Sequence, residues 1–380
     1  MKHILITGGA GFIGSNLAIK LLNKGYKVRV LDILLPQIHG ENPDKTSPLY
    51  NLIKKSSVDF IKGSVTDRKV FEEALKDIDC VVHLAAETGT GQSMYEIERY
   101  ANVNIMGTAI LLDILTNKQH SVKKVVVASS RAIYGEGRYF CNICNRDVYP
   151  FARTDYNMQK GDFECKCPFC NCEVELLATN ETSKIHPASI YGITKQNQEQ
   201  MTLIACKSVG IAAVIFRYQN VYGPGQSLTN PYTGILSIFS TQIRNGNNIN
   251  IFEDGNETRD FVFIDDVVDA TILGIEKETA NDEIFNIGTG VATNVVDVAK
   301  ELIANYNSNV EIKITGNYRL GDIRHNYADI SKAKRLLGFV SKISFTNGIK
   351  IFCDWVKTQD TKEDNYSKSI EEMKAKGLYR

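Results

Sequence analysis

The feature that most constrains the fold is a glycine-rich run near the start of the chain. The run covers residues 7–14 (TGGAGFIG), follows an apolar stretch at residues 3–6, and precedes a helical pattern of apolar residues. Gly8, Gly11 and Gly14 permit a tight turn, a close approach of backbone N–H groups to a phosphate, and close packing of the next helix. A second strand pattern then leads to Asp32, whose carboxylate can accept hydrogen bonds from both ribose hydroxyls and would repel a 2′-phosphate. The spacing predicts a unit that binds NAD in preference to NADP.

Strand-like apolar runs alternate with helical patterns up to about residue 216. The strand-like runs lie at residues 58–61, 80–84, 124–128 and 212–216, and the helical patterns between them at residues 70–75, 95–115 and 191–205. Near-continuous Val, Ile and Leu strands separated by helices predict an α/β fold with a Rossmann-type, doubly wound parallel sheet.

The later part of the chain has a mixed pattern that predicts a second unit. Helical patterns lie near residues 234–244, 264–275 and 295–304, between loops rich in Asn, Gly and Tyr. We expect an NAD-binding domain over residues 1–219 and a smaller C-terminal α/β, mainly substrate-binding domain over residues 220–357, with some segments returning to the first domain. Residues 358–380 are highly charged and predict a C-terminal tail, either a solvated helix or a loose segment.

Charge and hydropathy limit the partners of the chain. Lys and Arg total 44, as do Asp and Glu, so no net field attracts nucleic acid or an anionic membrane. A strand pattern begins within two residues of the first residue, and no apolar run approaches the length of a membrane span. The expectation is a soluble cytoplasmic protein that binds neither nucleic acid nor membranes.

Most of the nine cysteines cluster in one short stretch. Cys141 with Cys144, and Cys167 with Cys170, form two Cys-x-x-Cys pairs. Four thiolates at this spacing complete a closed tetrahedral shell, so they predict structural zinc in a small zinc-ribbon-like insertion over residues 138–174. Either Cys165 or Cys172 is an alternative ligand, and redox-active thiols or an iron–sulfur cluster are alternative uses of the cluster.

Two further segments carry candidate catalytic chemistry. Tyr191 and Lys195 are four residues apart, so a helix places the phenol and the ammonium on one face. Lowering a phenol pKa from about 10 to neutrality takes roughly 4 kcal/mol, so Lys195 would need help from the positive charge of NAD⁺. The polar run at residues 129–135 leaves the predicted sheet at its carboxyl edge, where open α/β sheets bind ligands.

In this order the motifs resemble the extended short-chain dehydrogenase/reductase family, whose members epimerise, dehydrate or decarboxylate nucleotide-linked sugars. The resemblance extends from the glycine turn to about Phe339 and implies that Ser130, Tyr191 and Lys195 are catalytic. It further implies that Tyr191 and Lys195 also contact NAD. The other implied contacts with NAD are Gly8, Gly11, Phe12, Ile13, Gly14, Asp32, Ser64, Val65, Leu84, Ala85, Ala86, Asn104 and Tyr218. Ser64 stands where the family often has an aspartate that binds adenine.

The resemblance also implies the substrate and the assembly. Asn220, Arg259 and Arg319, with Asp322 beside Arg319, match residues that bind the diphosphate of a small-molecule nucleotide-diphosphate sugar. Guanidinium groups suit phosphate oxygens, although solvated surface arginines are the alternative interpretation. A homodimer is expected through the helix at residues 95–115 and the helix that bears Tyr191.

One departure from the family distinguishes between its reactions. Sugar 4,6-dehydratases carry an Asp-Glu pair directly after the catalytic Ser or Thr, whereas this chain has Arg131 and Ala132. Elimination of water needs an acid and a base, so epimerisation at C4 through a 4-keto intermediate is favoured.

Two local runs refine the expected substrate. Residues 129–137 and 230–234, together with the insertion, resemble epimerases that act on dTDP-L-rhamnose and form dTDP-6-deoxy-L-talose. The alternatives are a UDP-glucose or UDP-N-acetylglucosamine 4-epimerase, another nucleotide-sugar 4,6-dehydratase or reductase, and a non-catalytic NAD-binding regulator.

Overall fold

The computed structural model describes residues 2–232, 234–361, 364 and 366–380. In chain order the strands are β1 His3–Thr7, β2 Lys27–Asp32, β3 Asp59–Lys62, β4 Cys80–His83, β5 Lys124–Ser130, β6 Tyr139–Cys141, β7 Arg146–Val148, β8 Glu175–Leu176, β9 Ala212–Tyr218, β10 Asn220–Tyr222, β11 Ile249–Ile251, β12 Thr258–Arg259, β13 Phe261–Phe263, β14 Glu283–Ile287, β15 Thr293–Asn294, β16 Ile312–Ile314 and β17 His325–Asn326.

The α-helices connect these strands and cover the faces of the sheet. They are α1 Phe12–Asn23, α2 Pro36–His39, α3 Pro43–Thr46, α4 Pro48–Lys55, α5 Arg68–Ala74, α6 Thr90–Ser93, α7 Ile97–Tyr100, α8 Gly107–Asn117, α9 Asp155–Met158, α10 Ile190–Ser208, α11 Ile235–Arg244, α12 Ile264–Glu276, α13 Val295–Tyr306, α14 Ser331–Leu337, α15 Phe345–Lys357 and α16 Tyr366–Ala375. A π-helix, Ala101–Met106, joins α7 to α8, and short 3₁₀-helices lie at Arg131–Tyr134 and Glu278–Ala280.

The main sheet confirms the expected doubly wound α/β fold. Within the described part of the chain it contains seven strands in the order β14-β9-β5-β4-β1-β2-β3, and every neighbouring pair is parallel. The chain runs outward from β1 to β3 and then returns to the other side of β1 to form β4. This reversal leaves a crevice at the carboxyl ends of β1 and β4, which is where such sheets bind ligands.

Both faces of the sheet are buried. Alternate side chains of each strand point to opposite faces, and each face packs into its own apolar cluster. In β1, Ile4 and Ile6 belong to one apolar cluster and Leu5 to the other. The cluster around Ile4 continues into the C-terminal half of the chain through Phe263 and Phe352. The C-terminal half is therefore fixed to the sheet by a shared core.

The C-terminal half returns to the first unit at two places. Strand β14 forms the edge of the main sheet, and α12 packs beside α1, where Lys20 pairs with Asp269 at 2.5 Å. The remaining strands make small sheets that pair β10 with β13, β11 with β16, and β12 with both β15 and β17.

The cysteine-rich insertion forms its own small antiparallel sheet in the order β7-β6-β8. Its core consists largely of Tyr139, Val148 and cysteine side chains. Strand β8 extends this sheet to Leu176, slightly beyond the expected end of the insertion at residue 174.

The C-terminal segment contains a helix that is docked on the protein, whereas its charge suggested either a solvated helix or a loose segment. Helix α16 buries Ser369 and Met373, which are 1% and 2% exposed, and the last residues pair with the 318–320 loop. A few apolar side chains at helical spacing are enough to dock an otherwise charged segment. Thr233 of the 230–234 run lies outside the described residues, as do residues 362, 363 and 365 of the expected tail. Among the described helices, none combines the length and the apolar character needed to span a membrane.

Candidate active site

The glycine turn between β1 and α1 has no room for side chains. Gly8 has a φ of +68°, and a Cβ on it would lie 2.9 Å from the backbone N of Ala85. A Cβ on Gly14 would meet the carbonyl oxygen of Gly8 and lie 2.6 Å from the Cα of Gly9. Because Gly11 has no side chain to cap α1, the first N–H groups of this helix, including those of Phe12 and Ile13, remain available to a phosphate.

Asp32 is held at the end of β2 by backbone donors. Its Oδ2 accepts from Ala10 N at 3.0 Å, and its Oδ1 accepts from Leu34 N at 2.8 Å. The ring of His39 lies 3.9 Å from Oδ1, and burial lowers the pKa of that histidine while Asp32 opposes the shift. The carboxylate is thus fixed beside the glycine turn, where a ribose could reach its free lone pairs.

The loop after β4 passes directly beneath the glycine turn. His83 bridges Thr7 Oγ1 at 2.8 Å and Thr108 Oγ1 at 3.1 Å, and burial lowers its pKa to about 3, so the ring stays neutral. Ala85 N donates to Thr7 Oγ1 at 3.2 Å. Leu84 and Ala86 flank this contact, which brings the predicted loop against Gly8.

Ser64 and Val65 lie beyond the carboxyl end of β3. The Ser64 hydroxyl is engaged with its own loop, at 2.7 Å from Thr66 Oγ1. Val65 is 4% exposed and packs against Gly107, where a Cβ would lie 2.7 Å from Val65 Cγ2. The local bond of Ser64 makes it a weaker candidate for an adenine contact than the residues around the glycine turn.

Asn104 lies in the π-helix and connects two helices at the site. Its Nδ2 donates to Thr194 Oγ1 at 2.9 Å, and its Oδ1 accepts from Glu87 N at 2.8 Å. Thr194 Oγ1 in turn donates to the carbonyl oxygen of Tyr191. The wider turn of a π-helix, a feature often found at functional sites, was not predicted from the periodicity.

The predicted catalytic side chains meet where β5 ends and α10 begins. Ser189 caps α10 by accepting from Gly192 N at 3.1 Å. Gly192 lies so close to the loop after β5 that a Cβ would be 2.6 Å from the carbonyl oxygen of Ala132. This approach brings Tyr191 to the hydroxyl of Ser130.

The electrostatics of this group differ from the sequence-based expectation. Burial raises the pKa of Tyr191, while the hydrogen bond with Ser130 and the positive charge of Arg131 lower it. Lys195 Nζ lies 5.9 Å from the centre of the Tyr191 ring and donates to Ala128 O at 2.8 Å. Burial lowers the pKa of Lys195 to about 7, so this amine is only partly charged at neutral pH. The chain's own cation that favours the phenolate is Arg131, a role the sequence analysis missed.

Tyr218 contributes its side chain to the core. Its ring stacks on Phe216 with centroids 5.9 Å apart, and its hydroxyl lies 2.7 Å from Thr271 Oγ1. The phenol of Tyr218, one of the predicted contacts with NAD, is therefore already bonded within the protein core.

Three of the predicted substrate residues, Arg259, Arg319 and Asp322, lie together. Arg319 Nη2 pairs with Asp322 Oδ2 at 2.7 Å, and Arg259 Nη2 lies 3.5 Å from Asp322 Oδ1. Arg259 also donates to the carbonyl oxygens of Ile323 and Arg324 at 2.6 and 2.8 Å. The two guanidinium groups hold the pKa of Asp322 well below its usual range. Arg259 thus orders the 322–324 loop and has part of its donor set already in use.

Asn220 joins this group through Arg131. From the sequence, Arg131 was noted only because it stands where the dehydratases have an acidic residue. Arg131 Nε donates to Asn220 Oδ1 at 2.6 Å. The available signal was a basic residue directly after Ser130 in the sequence.

The insertion gathers one set of thiols and excludes the others. The sulfur atoms of Cys141, Cys144, Cys167 and Cys170 all lie within 4.8 Å of one another. Cys165 is 3% exposed and belongs to the core of the insertion, whereas Cys172 is exposed and its thiol contacts Cys170 O. The geometry therefore favours the two Cys-x-x-Cys pairs over Cys165 or Cys172 as a metal-binding set.

Comparisons with known proteins agree with the fold. The profile of the NAD dependent epimerase/dehydratase family matches residues 4–164 and 172–288, and its break lies inside the insertion. The chain is 37% identical to the dTDP-L-rhamnose 4-epimerase of Burkholderia thailandensis over 357 residues, which cover 93% of this chain and 95% of that protein.

Two solved structures that resemble this chain contain bound ligands. The UDP-glucose 4-epimerase of Thermotoga maritima with UDP-glucose has a TM-score of 0.75 and 32% identity, covering 93% of this chain and 98% of that one. The UDP-glucuronic acid 4-epimerase of Bacillus cereus with UDP-glucuronic acid and NAD has a TM-score of 0.73 and 26% identity, covering 93% and 99%.

Proposed function

The chain belongs to the NAD dependent epimerase/dehydratase family, and on this basis we propose that it inverts C4 of a nucleotide sugar, with dTDP-L-rhamnose as substrate and dTDP-6-deoxy-L-talose as product. The observation that carries the proposal is the pairing of Ser130 with Tyr191. The two residues that follow Ser130 are Arg131 and Ala132, whose side chains end in a guanidinium and a methyl group. Neither group can supply the acid and the base that elimination of water requires. The identity to the Burkholderia thailandensis enzyme supports the choice of dTDP-L-rhamnose.

The residues around the first βα turn fit a dinucleotide. Gly8 and Gly14 leave a cradle that a Cβ would fill, and the first N–H groups of α1 face a pyrophosphate position. Asp32 would receive the ribose hydroxyls. NAD, when bound, supplies the oxidising and reducing equivalents at C4. Because these are consumed and restored in one cycle, the enzyme should retain its dinucleotide.

The proton transfers belong to side chains of the chain itself. Tyr191 takes the proton of the C4 hydroxyl during oxidation and returns a proton to O4 during reduction on the opposite face. Ser130 has a single O–H, which donates to the phenolate and favours the ionised form. Once Tyr191 holds the proton, the same O–H can turn to donate to O4. Lys195 and Asn104 position these groups, the first through Ala128 O and the second through Thr194.

Inversion needs a 4-keto sugar that turns over while its nucleotide stays in place. Arg319 and Arg259, oriented by Asp322, would hold the diphosphate, and Asn220 would contact its sugar-side oxygens. Bidentate guanidinium contacts suit this role because they fix a phosphate without restricting the sugar.

The cysteine cluster would hold structural zinc. Four thiolates complete the tetrahedral shell, so no position remains for a reactive water. The metal would stabilise the insertion and take no part in the chemistry.

A homodimer would bury an exposed apolar face of two neighbouring helices. Ile97 and Met106 on the α7–α8 side are 50% and 51% exposed, and Ile193 and Ile204 on α10 are 41% and 73% exposed. Pairing of these helices with their copies would remove the patch from water.

Proton NMR of the H4 coupling constants tests the proposed reaction. The purified protein is incubated with dTDP-, UDP- and GDP-sugars without added cofactor, and inversion at C4 of dTDP-L-rhamnose is expected. A 4-keto-6-deoxy product would contradict the exclusion of dehydration. Faster turnover of UDP-glucose would instead favour the second candidate, which the likeness to the Thermotoga maritima structure supports.

A further inference from the structure

Arg131 has a hydrogen-bond donor that no group of the described chain accepts. It is the first residue after β5, next to Ser130, and its Nε donates to Asn220 Oδ1 at 2.6 Å. Its Nη1 is buried and, within the described residues, has no hydrogen-bond partner. A buried donor on a charged group costs about 1–3 kcal/mol or more when it is left unpaired, so this position favours an incoming acceptor.

The neighbouring acidic groups are already engaged elsewhere. Asp322 pairs with Arg319 and lies near Arg259. Asp260 accepts from Thr289 N at 2.8 Å, from Thr289 Oγ1 at 2.7 Å, and from the backbone N of Gly290 and Ala328. Within the described residues no carboxylate pairs directly with Arg131. Burial together with Arg259 lowers its pKa to about 9, while the more distant charges of Asp322 and Asp260 oppose the shift.

Arg131 also lies within electrostatic reach of Tyr191. The groups that face the Tyr191 phenol are Ser130 and Arg131 after β5, Lys195 on α10 and Tyr100 on α7. Lys195 is only partly charged near neutral pH, so Arg131 is the more constant cation of this set.

We propose that Arg131 is a substrate-binding residue whose Nη1 donates to an oxygen of the sugar-phosphate end of the nucleotide sugar, and whose charge stabilises the phenolate of Tyr191. This inference rests on the proposed epimerase function and deepens it. An acidic residue at this position would supply a proton for elimination. A fixed cation holds the substrate and the phenolate together, which suits reversible oxidation at C4.

Two substitutions separate the contact from the charge. Arg131→Gln removes the charge at similar size, and Arg131→Lys keeps the charge without the guanidinium fork. For Arg131→Gln we expect KM to rise about 10- to 100-fold, the loss of one charge-assisted hydrogen bond. The acid limb of the kcat–pH profile should move up by about one pH unit, because the phenol holds its proton more tightly without the cation. Arg131→Lys should restore the acid limb while KM stays raised.

Arg335→Gln, an exposed arginine on α14, is the matched control. Wild-type KM and an unshifted acid limb in Arg131→Gln would overturn the inference. Equal losses in both Arg131 variants, with lower melting temperatures, would also overturn it, because Arg131 would then only support Asn220. If the wild-type protein turns over none of the sugars, the epimerase proposal fails by itself. Calorimetric titration with the same nucleotide sugars then tests the Arg131 contact separately. If the contact exists, these sugars bind more weakly to Arg131→Gln than to Arg335→Gln.

Discussion

At the scale of single residues, the proposed chemistry depends on the phenol of Tyr191. Replacing Tyr191 by Phe removes the group that takes and returns the O4 proton, while the glycine turn and Asp32 are unchanged. We expect kcat to fall by about 10²- to 10⁴-fold or more, the range for a lost general acid–base, with bound dinucleotide retained. Turnover by NMR and dinucleotide release on denaturation measure both quantities.

The matched control for Tyr191→Phe is Tyr156→Phe, a phenol that is 66% exposed on the insertion. The control variant should keep wild-type kcat. Equal activity of Tyr191→Phe and Tyr156→Phe would end the assignment of Tyr191 as the acid–base group.

Lys195 should leave a signature in the pH dependence of stability. Its folded pKa is lowered by burial to about 7, below the value of about 10.4 in unfolded chains. Between these two values the unfolded chain binds one more proton, so the free energy of unfolding rises with pH by up to ~1.4 kcal/mol per pH unit. The penalty is complete below pH 7 and disappears as the pH approaches the unfolded value.

This behaviour is measured by urea unfolding from pH 7 to 9.5 on protein freed of dinucleotide. Lys195→Met, which keeps the side chain's length without the amine, should give a flatter dependence than the wild type. Parallel curves for the two proteins would show that Lys195 keeps its proton in the folded state.

At the scale of elements, we propose that the stability of the insertion depends on a bound metal. Cys144→Ser removes one thiolate of the cluster, and we expect zinc content to fall from about one per chain to well below that. Cys172→Ser is the matched control, because Cys172 is exposed and lies outside the cluster. Metal analysis and limited proteolysis within residues 138–176 provide the readouts. Equal zinc in both variants would reject the ligand assignment.

The insertion is also linked by charged side chains to the loop that carries Asp322 and Arg324. Arg153 is 4% exposed, pairs with Glu136 and with Glu253 at 3.3 and 2.7 Å, and donates to Asp322 O at 3.0 Å. A second link joins Glu164 to Arg324 at 2.5 Å. The insertion thus supports the loop that carries Arg319 and Asp322, although it lies outside the crevice.

Arg153→Met tests this link, since it keeps volume and removes the charge. Breaking a buried ion pair by removing one partner costs about 3–5 kcal/mol, so the melting temperature should fall. Because Asp322 loses a backbone contact, KM for the nucleotide sugar should rise more than kcat falls. Arg138→Met, whose partner Asp147 is 40% exposed, is the control expected to change neither parameter strongly. A rise in KM of equal size in both variants would contradict the link.

At the scale of the whole molecule, local patterns predicted the sheet and much of the site. Glycines 8, 11 and 14, the Asp32 position and the near-continuous apolar strands each depend on short-range chemistry that is visible in the sequence. The Tyr191–Lys195 spacing likewise follows from helix geometry. The structure confirms the fold that these features predicted. The residues that they single out lie together at the carboxyl edge of the sheet.

The rest depends on contacts between distant parts of the chain. The π-helix around Asn104 arises where this helix meets α10, and its apolar spacing alone cannot reveal it. The guanidinium of Arg131 faces Tyr191 and Asn220 only after three separate segments converge. Strand β14 adds a seventh strand whose partner, β9, lies far away in the sequence.

The C-terminal segment docks on the body of the molecule through hydrogen bonds with distant loops. Its last residues pair with the 318–320 loop through Tyr318 N to Arg380 O at 2.8 Å and Leu320 N to Leu378 O at 3.0 Å. On α16, Glu372 accepts hydrogen bonds from Tyr232 and, at 3.2 Å, from Tyr95. The segment therefore contacts three separate stretches of the chain, at Tyr95, at Tyr232 and at residues 318–320.

The same segment determines the surroundings of Arg319. The guanidinium lies 5.0 Å from the ring of Phe252, which stacks near Tyr366 at 6.5 Å and meets Tyr379 edge-on at 5.3 Å. Aromatic neighbours hold the guanidinium through cation–π attraction and exclude water from it. A diphosphate bound there would meet a cation that is already oriented and partly desolvated.

Removing this segment should therefore weaken substrate binding while leaving the dinucleotide in place. A chain ending at residue 364 is expected to show a raised KM for the nucleotide sugar and normal retention of NAD. Among the described residues, no hydrogen bond or ion pair joins the glycine turn or Asp32 to α16. Glu372→Gln is the milder variant and should raise KM less, since it weakens only the contacts with Tyr95 and Tyr232. Glu371→Gln, the exposed neighbour, is its control. If the shortened chain lost NAD and substrate affinity together, α16 would be supporting the whole fold. If it kept wild-type KM, the segment would have no part in forming the crevice.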